Sequence, residues 1–451
     1  MPERIHLVGA CGSGMSALAL WYASLGRTVT GCDRDPGKGC EALERAGIRV
    51  FAGQDPAHVE GMDGVVFSAA VPRTDPELVR ADELGIPVLR RSEALEELTR
   101  GTTLLAVAGA HGKSTTTAMT GWILQECGLD PTVMVGASIP GWTGGFRAGG
   151  ALAVVEADEY DRAFLRLRPS CAAVTSFAAE HLECYGDRAA LDMAFGVFLE
   201  MTAPGGSVVV PKELAHLARW AARIGRRVIL TGPGGDIECR RTGGTGWEQT
   251  CETDGVPWRL GLPGAHNLRN ACTAAALAST VGVPVERSVR ALESFPGVGR
   301  RLERIGMLGA AVAVSDYAHH PDEMEAALEA LAGLTAGGRI GVVFQPHLYS
   351  RTAAMAEDMG RALSTAAWSL VLPVFGAREL PIPGVDAEQV AAAARRAGAD
   401  CVSCRPEELA GLLRSRSADA VVFMGAGTID GMARALVGEE ASWRSGPGRP
   451  S

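Results

Sequence analysis

The chain has 451 residues, of which 47% are hydrophobic, and carries 43 Lys and Arg against 52 Asp and Glu. That length allows about three domains with cores of their own. The mild net charge of −9, with no basic block, excludes a nucleic-acid footprint, and no apolar stretch free of charge and glycine is long enough to span a bilayer, so neither nucleic acid nor membrane is expected as a partner.

The opening Met1-Pro2-Glu3-Arg4 runs straight into a predicted strand at 5–9. This leaves no room for a signal peptide, and a cytoplasmic location is expected. The 11 cysteines are scattered through predicted strands and helices and read as reduced core residues. Cys401 and Cys404 form one C-x-x-C without the second half that a zinc site needs.

Residues 1–100 alternate strands at 5–9, 28–33, 48–51 and 64–68 with helical stretches such as 14–25. That alternation is the pattern of a parallel, doubly wound sheet. Gly9-Ala10-Cys11-Gly12-Ser13-Gly14 fills the first strand-to-helix turn, and Asp33 closes the second strand. The spacing is that of an altered dinucleotide fingerprint, with an acid placed to meet a ribose. It points to a diphosphate or nucleotide, NAD being one candidate.

The segment 101–295 opens with the apolar run 104–108 and then Gly109-Ala110-His111-Gly112-Lys113-Ser114-Thr115. A buried strand ending in a glycine loop, with a lysine and a hydroxyl at a helix start, suits a polyphosphate. Backbone N–H groups approach the oxygens, the helix N-terminus adds positive partial charge, Lys113 supplies a point charge, and the Ser114 hydroxyl completes a magnesium shell. The strand 151–156 ends in the carboxylate run Glu156 to Asp161, and the strand 171–175 leads to His181. Both lie at strand ends, where open α/β sheets keep their ligand crevices, so Glu156 and His181 are candidate metal ligands beside Ser114. A hairpin or irregular loop is expected within 231–255, followed by a helix at 268–281.

From 296 onward, strands at 311–316, 340–345, 369–374 and 420–424 alternate with helices such as 321–334 and 355–367. Asp316-Tyr317-Ala318-His319-His320-Pro321 ends a strand and starts a helix. Arg300, Arg301 and Arg351 are candidate cations, because a guanidinium suits phosphate. Gly425-Ala426-Gly427 allows close approach of a small ligand. The tail 438–451 is poor in apolar residues and is expected to be disordered.

Taken together and in order, these motifs resemble the Mur ligase family. The match is carried by Gly9–Ser16, Gly109–Thr117, Glu156–Asp161, His181 with Tyr185-Gly186-Asp187, the run from Gly264 to Asn270, Gly297–Arg301, Asp316–Pro321, Gln345–Thr352, Pro381–Gly384 and Met424–Gly427. The resemblance implies three α/β domains, each on a mainly parallel sheet with flanking helices. They would be a Rossmann-like UDP-substrate domain at 1–100, a P-loop-like ATP domain at 101–295 and a Rossmann-like ligase domain at 296–437.

It further implies an ATP-dependent, ADP-forming ligase of peptidoglycan precursor synthesis that uses Mg²⁺, or Mn²⁺ in its place. Within the family the motifs favour the branch that joins L-alanine to UDP-N-acetylmuramate. Tyr160 instead looks like the branch that recycles a muramyl tripeptide. By the resemblance, Lys113, Glu156 and His181 are catalytic, and Ser114, Glu156 and His181 hold the metal. Residues Gly109 to Thr115, Asn267, Asn270, Arg300, Arg301 and Asp316 bind ATP. Gly12, Ser13, Gly14, Met15, Asp33, Ser68, His319, His320 and Arg351 bind the substrates. A monomer or weak homodimer is expected. Ala110, Ser176, Glu180 and Leu348 depart from the family pattern. Two readings from other classes are an NAD-dependent dehydrogenase, which leaves the 109–115 loop unexplained, and a non-catalytic nucleotide-binding protein.

Overall fold

The computed structural model describes residues 2–34, 36–178, 182–244, 246–335, 337–377 and 379–445. The chain forms two compact units. The first comprises Met1–Thr242, Thr250–Leu260 and Asn267–Pro296, and the second comprises Gly243–Gln249, Gly261–His266 and Gly297–Ser451.

The first unit holds two large sheets. In one, β1 (Arg4–Val8), β2 (Thr28–Asp33), β3 (Arg49–Ala52), β4 (Gly64–Phe67) and β5 (Val88–Arg90) lie in the order β3-β2-β1-β4-β5, all parallel. The order reverses beside β1, so the turn after β1 opens into the crevice where such sheets bind ligands.

The other sheet has seven strands: β6 (Thr103–Ala108), β7 (Pro131–Met134), β8 (Phe146–Arg147), β9 (Leu152–Glu156), β10 (Cys171–Val174), β11 (Ser207–Pro211) and β12 (Arg227–Thr231). Their order is β12-β11-β10-β6-β9-β7-β8, and only the β7–β8 pair is antiparallel. β6, β10 and β11 are buried almost throughout, as strands covered on both faces must be. Their residues are mainly Val, Leu and Ala, which is why the sequence shows unbroken apolar runs here rather than alternation.

The two sheets share one apolar cluster. It joins Trp21 and Tyr22, on the helix Ser13–Ser24, to Phe146 on β8 and to Phe164, Phe195 and Phe198. Trp21 and Phe146 stand with ring centroids 6.3 Å apart. The N-terminal and central segments therefore pack as one body.

Where a hairpin or loop is expected, β13 (Cys239–Gly243), β14 (Gln249–Thr253) and β15 (Val256–Leu260) form a three-stranded sheet. The second unit carries β16 (Glu303–Leu308), β17 (Ala311–Asp316), β18 (Ile340–Phe344), β19 (Trp368–Val371), β20 (Cys401–Ser403) and β21 (Ala420–Met424), in the order β16-β17-β21-β18-β19-β20. Only β16 runs antiparallel to its neighbour.

Two expectations need correction. Cys11 and Cys40, read as reduced core residues, are joined in a disulfide with Cα atoms 4.8 Å apart. A sequence separation of 29 hides that proximity, which the β1 turn and the segment after β2 create. The tail from 438 does not begin disordered, because the last helix runs Ile429–Ser445; residues 446–451 lie outside the described residues.

Candidate active site

The loop after β6 is fixed by its neighbour β10. Ala110 N–H donates to Ser176 O at 3.2 Å and His111 N–H to Ser176 Oγ at 2.8 Å, while Thr175 Oγ1 donates to His111 O at 2.5 Å. Ser176, one of the departures from the family pattern, thus shapes the loop through its hydroxyl. Gly109 and Gly112 have φ of +136° and +82°, values that disfavour a Cβ. A Cβ on Gly112 would strike Asn270 Oδ1, so Asn270 of the helix Ala265–Ser279 rests against the loop. Asn267 lies one turn earlier, 3.5 Å from Asn270 Nδ2.

Lys113 opens the helix Lys113–Glu126. Its ammonium donates to Gly109 O, to Ala110 O at 3.0 Å and to Glu159 Oε1 at 2.9 Å. Glu159 is only 2% exposed, and burial pushes its carboxyl up against the opposing pull of Lys113. Tyr185 Oη donates to Glu159 O at 2.5 Å and helps hold the acidic segment.

Glu156 ends β9 beside the loop. Its Oε2 accepts Gly136 N–H at 3.0 Å, whereas Oε1 is sealed from solvent with no hydrogen bond of normal geometry. Burial pushes the Glu156 carboxyl up, and the Ser114 hydroxyl and the Lys113 charge oppose the shift. An unsatisfied buried carboxylate oxygen next to a hydroxyl and a phosphate loop is a donor set that fits a hard divalent cation. His181, the third expected ligand, lies outside the described residues.

At the first sheet, the turn after β1 is gathered with the ends of β2 and β4. Cys11 N–H donates to Asp33 Oδ2 at 3.0 Å, Ser68 N–H donates to Val8 O at 3.2 Å, and Ser68 Cβ would sit 3.3 Å from a Cβ on Gly9. Gly12 precedes the helix Ser13–Ser24, which begins with Ser13 and Gly14 and buries Met15 in the core. Asp33 therefore braces the glycine turn.

Arg91 opens the helix Arg91–Thr99. Its guanidinium would lie 2.8 Å from a Cβ on Gly14 and donates to Asp158 Oδ2 at 3.1 Å, so a cation stands between the turn and the acidic segment. Arg91 carries no motif, whereas Glu159 lies in the carboxylate run behind an apolar strand and Tyr185 in the Tyr185-Gly186-Asp187 motif, with no role read for either from the sequence.

In the second unit the candidates collect at the carboxyl ends of β17, β18 and β21. Asp316 accepts Leu302 N–H and Ala318 N–H, each at 2.7 Å, and burial raises its carboxyl to about 6. Arg300, with φ +57°, donates to Gly425 O at 2.5 Å and Gly427 O at 3.2 Å and stacks over Tyr317 at 4.7 Å. Its guanidinium is anchored, because the carbonyls of the Gly425–Gly427 turn take its donors. Arg301 is half-buried, 5.1 Å from the centroid of the same Tyr317 ring and 4.0 Å from Glu323. His319 bonds Tyr317 O through Nδ1 at 2.9 Å, and burial holds its imidazole down. His320 caps the helix Pro321–Leu334 by accepting Asp322 N–H at 3.3 Å. Arg351 has a buried Nη1 without a hydrogen bond, and its charge is felt at His319.

Two outcomes follow from this geometry. Gly112→Ala places a side chain in the left-handed region and against Asn270. It is expected to lower the unfolding free energy by about 1–2 kcal/mol in urea titrations; an unchanged midpoint contradicts the strain. Asp316 titrates near 6 when folded, against an ordinary 3.8. Its contribution to stability is therefore fully present below pH 3.8 and lost as pH rises through 6. Relative to Asp316→Asn, the parent should lose about 2–3 kcal/mol across that window; parallel pH profiles for the two proteins would remove the raised carboxyl from the account.

Comparison with known proteins bears on the whole chain. The family model described as Mur ligase family, catalytic domain, matches residues 4–103, the Mur ligase middle domain matches 107–278, and the Mur ligase, glutamate ligase domain matches 300–427. The chain is 41% identical to a UDP-N-acetylmuramate–L-alanine ligase of Halorhodospira halophila over 97% of its own length and 93% of the relative's. It superposes with a TM-score of 0.84 on the UDP-N-acetylmuramate-alanine ligase structure from Thermotoga maritima, at 26% identity, covering 98% of this chain and 99% of that one. A murein peptide ligase structure from Psychrobacter arcticus shares the fold with a TM-score of 0.73 at 24% identity, covering 97% and 98%. Matched along nearly all of its length, the chain belongs to the Mur ligase family.

Proposed function

We propose that this protein joins L-alanine to the carboxylate of UDP-N-acetylmuramate, using ATP and releasing ADP and phosphate. The observation that carries this reading is the 41% identity, across nearly the full length of both chains, to a ligase of that name. The phosphate loop at the β6 edge, with Lys113 on a helix start, is the physical counterpart of its ATP requirement.

A carboxylate and an ammonium do not condense in water at neutral pH. In the proposed sequence a carboxylate oxygen attacks the γ-phosphorus and ADP leaves, forming an acyl phosphate. The free amine then attacks the acyl carbon and phosphate departs as the amide bond forms. Lys113 exchanges its contact with Glu159 for the β- and γ-phosphoryl oxygens, and the helix N-terminus adds partial positive charge where negative charge develops. Ser114 and Glu156, with His181 proposed beside them, would hold Mg²⁺ or Mn²⁺, which neutralises phosphoryl charge.

Asn270, packed against the loop, and Asn267, one turn before it, are assigned to the adenine side. Gly12, Ser13, Gly14, Asp33 and Ser68 are assigned to the UDP moiety because they line or brace one turn at the switch point of the first sheet; Met15, buried in the core, is assigned there on the family resemblance alone. Arg300, Arg301 and Asp316 are proposed for ATP, and His319, His320 and Arg351 for the acyl substrate and its phosphate. Arg351, with an unsatisfied buried donor, is the strongest of that last group. A cytoplasmic location and a monomer or weak dimer complete the proposal; among the described residues no helix is long and apolar enough to cross a membrane.

Phosphate release with ATP, Mg²⁺, UDP-N-acetylmuramate and individual amino acids tests the reading. L-Alanine should drive turnover, and Lys113→Ala should reduce it by roughly 10²–10³-fold or more. Melting of the variant is followed in parallel, since truncation leaves Glu159 without its ammonium. Release driven only by an intact tripeptide would reassign the chain to the recycling branch that Tyr160 resembles. Near-normal turnover of a folded Lys113→Ala would remove Lys113 from the chemistry.

A further inference from the structure

Apart from the candidate site, four side chains with metal-binding atoms meet where β1 and β2 pack against a turn and a helix. His6 comes from β1, Cys32 from β2, His58 from the short turn Pro56–Val59 and Glu77 from the helix Pro76–Glu83. Their ligand atoms all lie within 4.8 Å of one another. Glu77 is the hub: its Oε2 is 3.1 Å from His6 Nε2 and 3.0 Å from Cys32 Sγ, and its Oε1 is 2.8 Å from His58 Nδ1. The side chains of His6 and Glu77 are fully buried, Cys32 is fully buried, and His58 is 14% exposed.

We propose that His6, Cys32, His58 and Glu77 form a structural site for one zinc ion. Zinc prefers four ligands of the nitrogen, sulfur and carboxylate types, and a closed set of four protein ligands marks a structural rather than a catalytic site. Tetrahedral bonds of about 2.0–2.3 Å put ligand atoms roughly 3.3–3.8 Å apart; the Glu77 contacts at 2.8–3.1 Å would open by under 1 Å and the wider spacings, up to 4.8 Å, would close by a similar amount to seat the ion. Charge favours it too. On binding, the Cys32 thiol gives its proton to solvent, and a thiolate and a carboxylate then balance the 2+ ion in a site without water. Magnesium, which demands oxygen ligands and retains water, does not suit this set.

The surrounding groups are those that orient metal ligands. Thr30 Oγ1 lies 2.8 Å from His6 Nδ1 and would take its N–H, leaving Nε2 to face the ion. Asp55 N–H donates to Glu77 Oε1 at 3.0 Å, and Phe51 stacks on His58 at 4.1 Å. The partly exposed edge of His58 gives the entry path. Bound zinc would tie β1 and β2 to the turn and helix beyond them and so stiffen the sheet that carries the Gly9–Gly14 turn.

The test uses the full chain, stripped with chelator and dialysed. Zinc titrated against a chromophoric competitor should bind with one equivalent per chain and raise the melting temperature by a few degrees. Cobalt in its place should show thiolate charge-transfer absorption. Cys32→Ser keeps a hydroxyl donor for Glu77, and so should fold, but it should bind zinc at least tenfold more weakly and lose the cobalt band. Cys401→Ser should retain both. No zinc uptake below about 10 µM by the parent chain, or uptake and cobalt absorption unchanged in Cys32→Ser, would overturn the site and leave Glu77 as the centre of a hydrogen-bonded cluster alone.

Discussion

Lys113 and Glu159 hold opposite charges 2.9 Å apart at the edge of a buried sheet, and the rest of the candidate site is arranged around that pair. The proposed triphosphate grip requires a cation that stays poised before phosphate arrives. An unpaired ammonium in so enclosed a place would shed its proton or turn to solvent. Glu159 and the carbonyls of Gly109 and Ala110 prevent that. They satisfy the ammonium within the protein, so the proposed ligand must compete with a preformed ion pair. A triphosphate with its metal brings enough charge to win that exchange, whereas a single phosphate is a weaker competitor.

Parallel strand order does the positioning. With β9, β6 and β10 adjacent, Glu156, the loop 109–115 and Ser176 emerge at one edge without any need for neighbours in sequence. The same logic places Asp33 and Ser68 around the turn after β1, and Asp316, Gln345 and Gly425 at one edge of the sheet in the second unit. Each edge is stiffened by its own polar contacts: Asp33 on Cys11 N–H, Ser176 on the loop amides, and Asp316 on Leu302 and Ala318. Several residues that the motifs mark as ligand contacts therefore also serve as braces of the backbone that presents the ligand groups.

Much of this was legible in the chain. Fully covered strands such as β6, β10, β11, β18 and β21 stand out as apolar runs, and the loop glycines announce themselves by spacing. What stayed hidden depended on tertiary partners. β5, β16 and β20 are short or partly exposed edge segments whose periodicity is weak. The three-stranded sheet at β13 to β15 was concealed by Gly and Thr, which signal loops as readily as strands. Arg91 carries no motif; its place near Gly14 and Asp158 exists only after the first two sheets pack together. The anchoring of Arg300 was likewise invisible, because its partners are carbonyls more than a hundred residues away. The disulfide of Cys11 with Cys40 and the His6–Cys32–His58–Glu77 cluster share that long-range character.

A triphosphate grip built on Lys113 in the central sheet is tested by calorimetric titration of the purified protein with ATP at saturating Mg²⁺. One binding event per chain is expected, abolished in Lys113→Met in a protein that still melts cooperatively. Absence of heat and of any shift in melting temperature at millimolar ATP, with the parent chain folded, would contradict it.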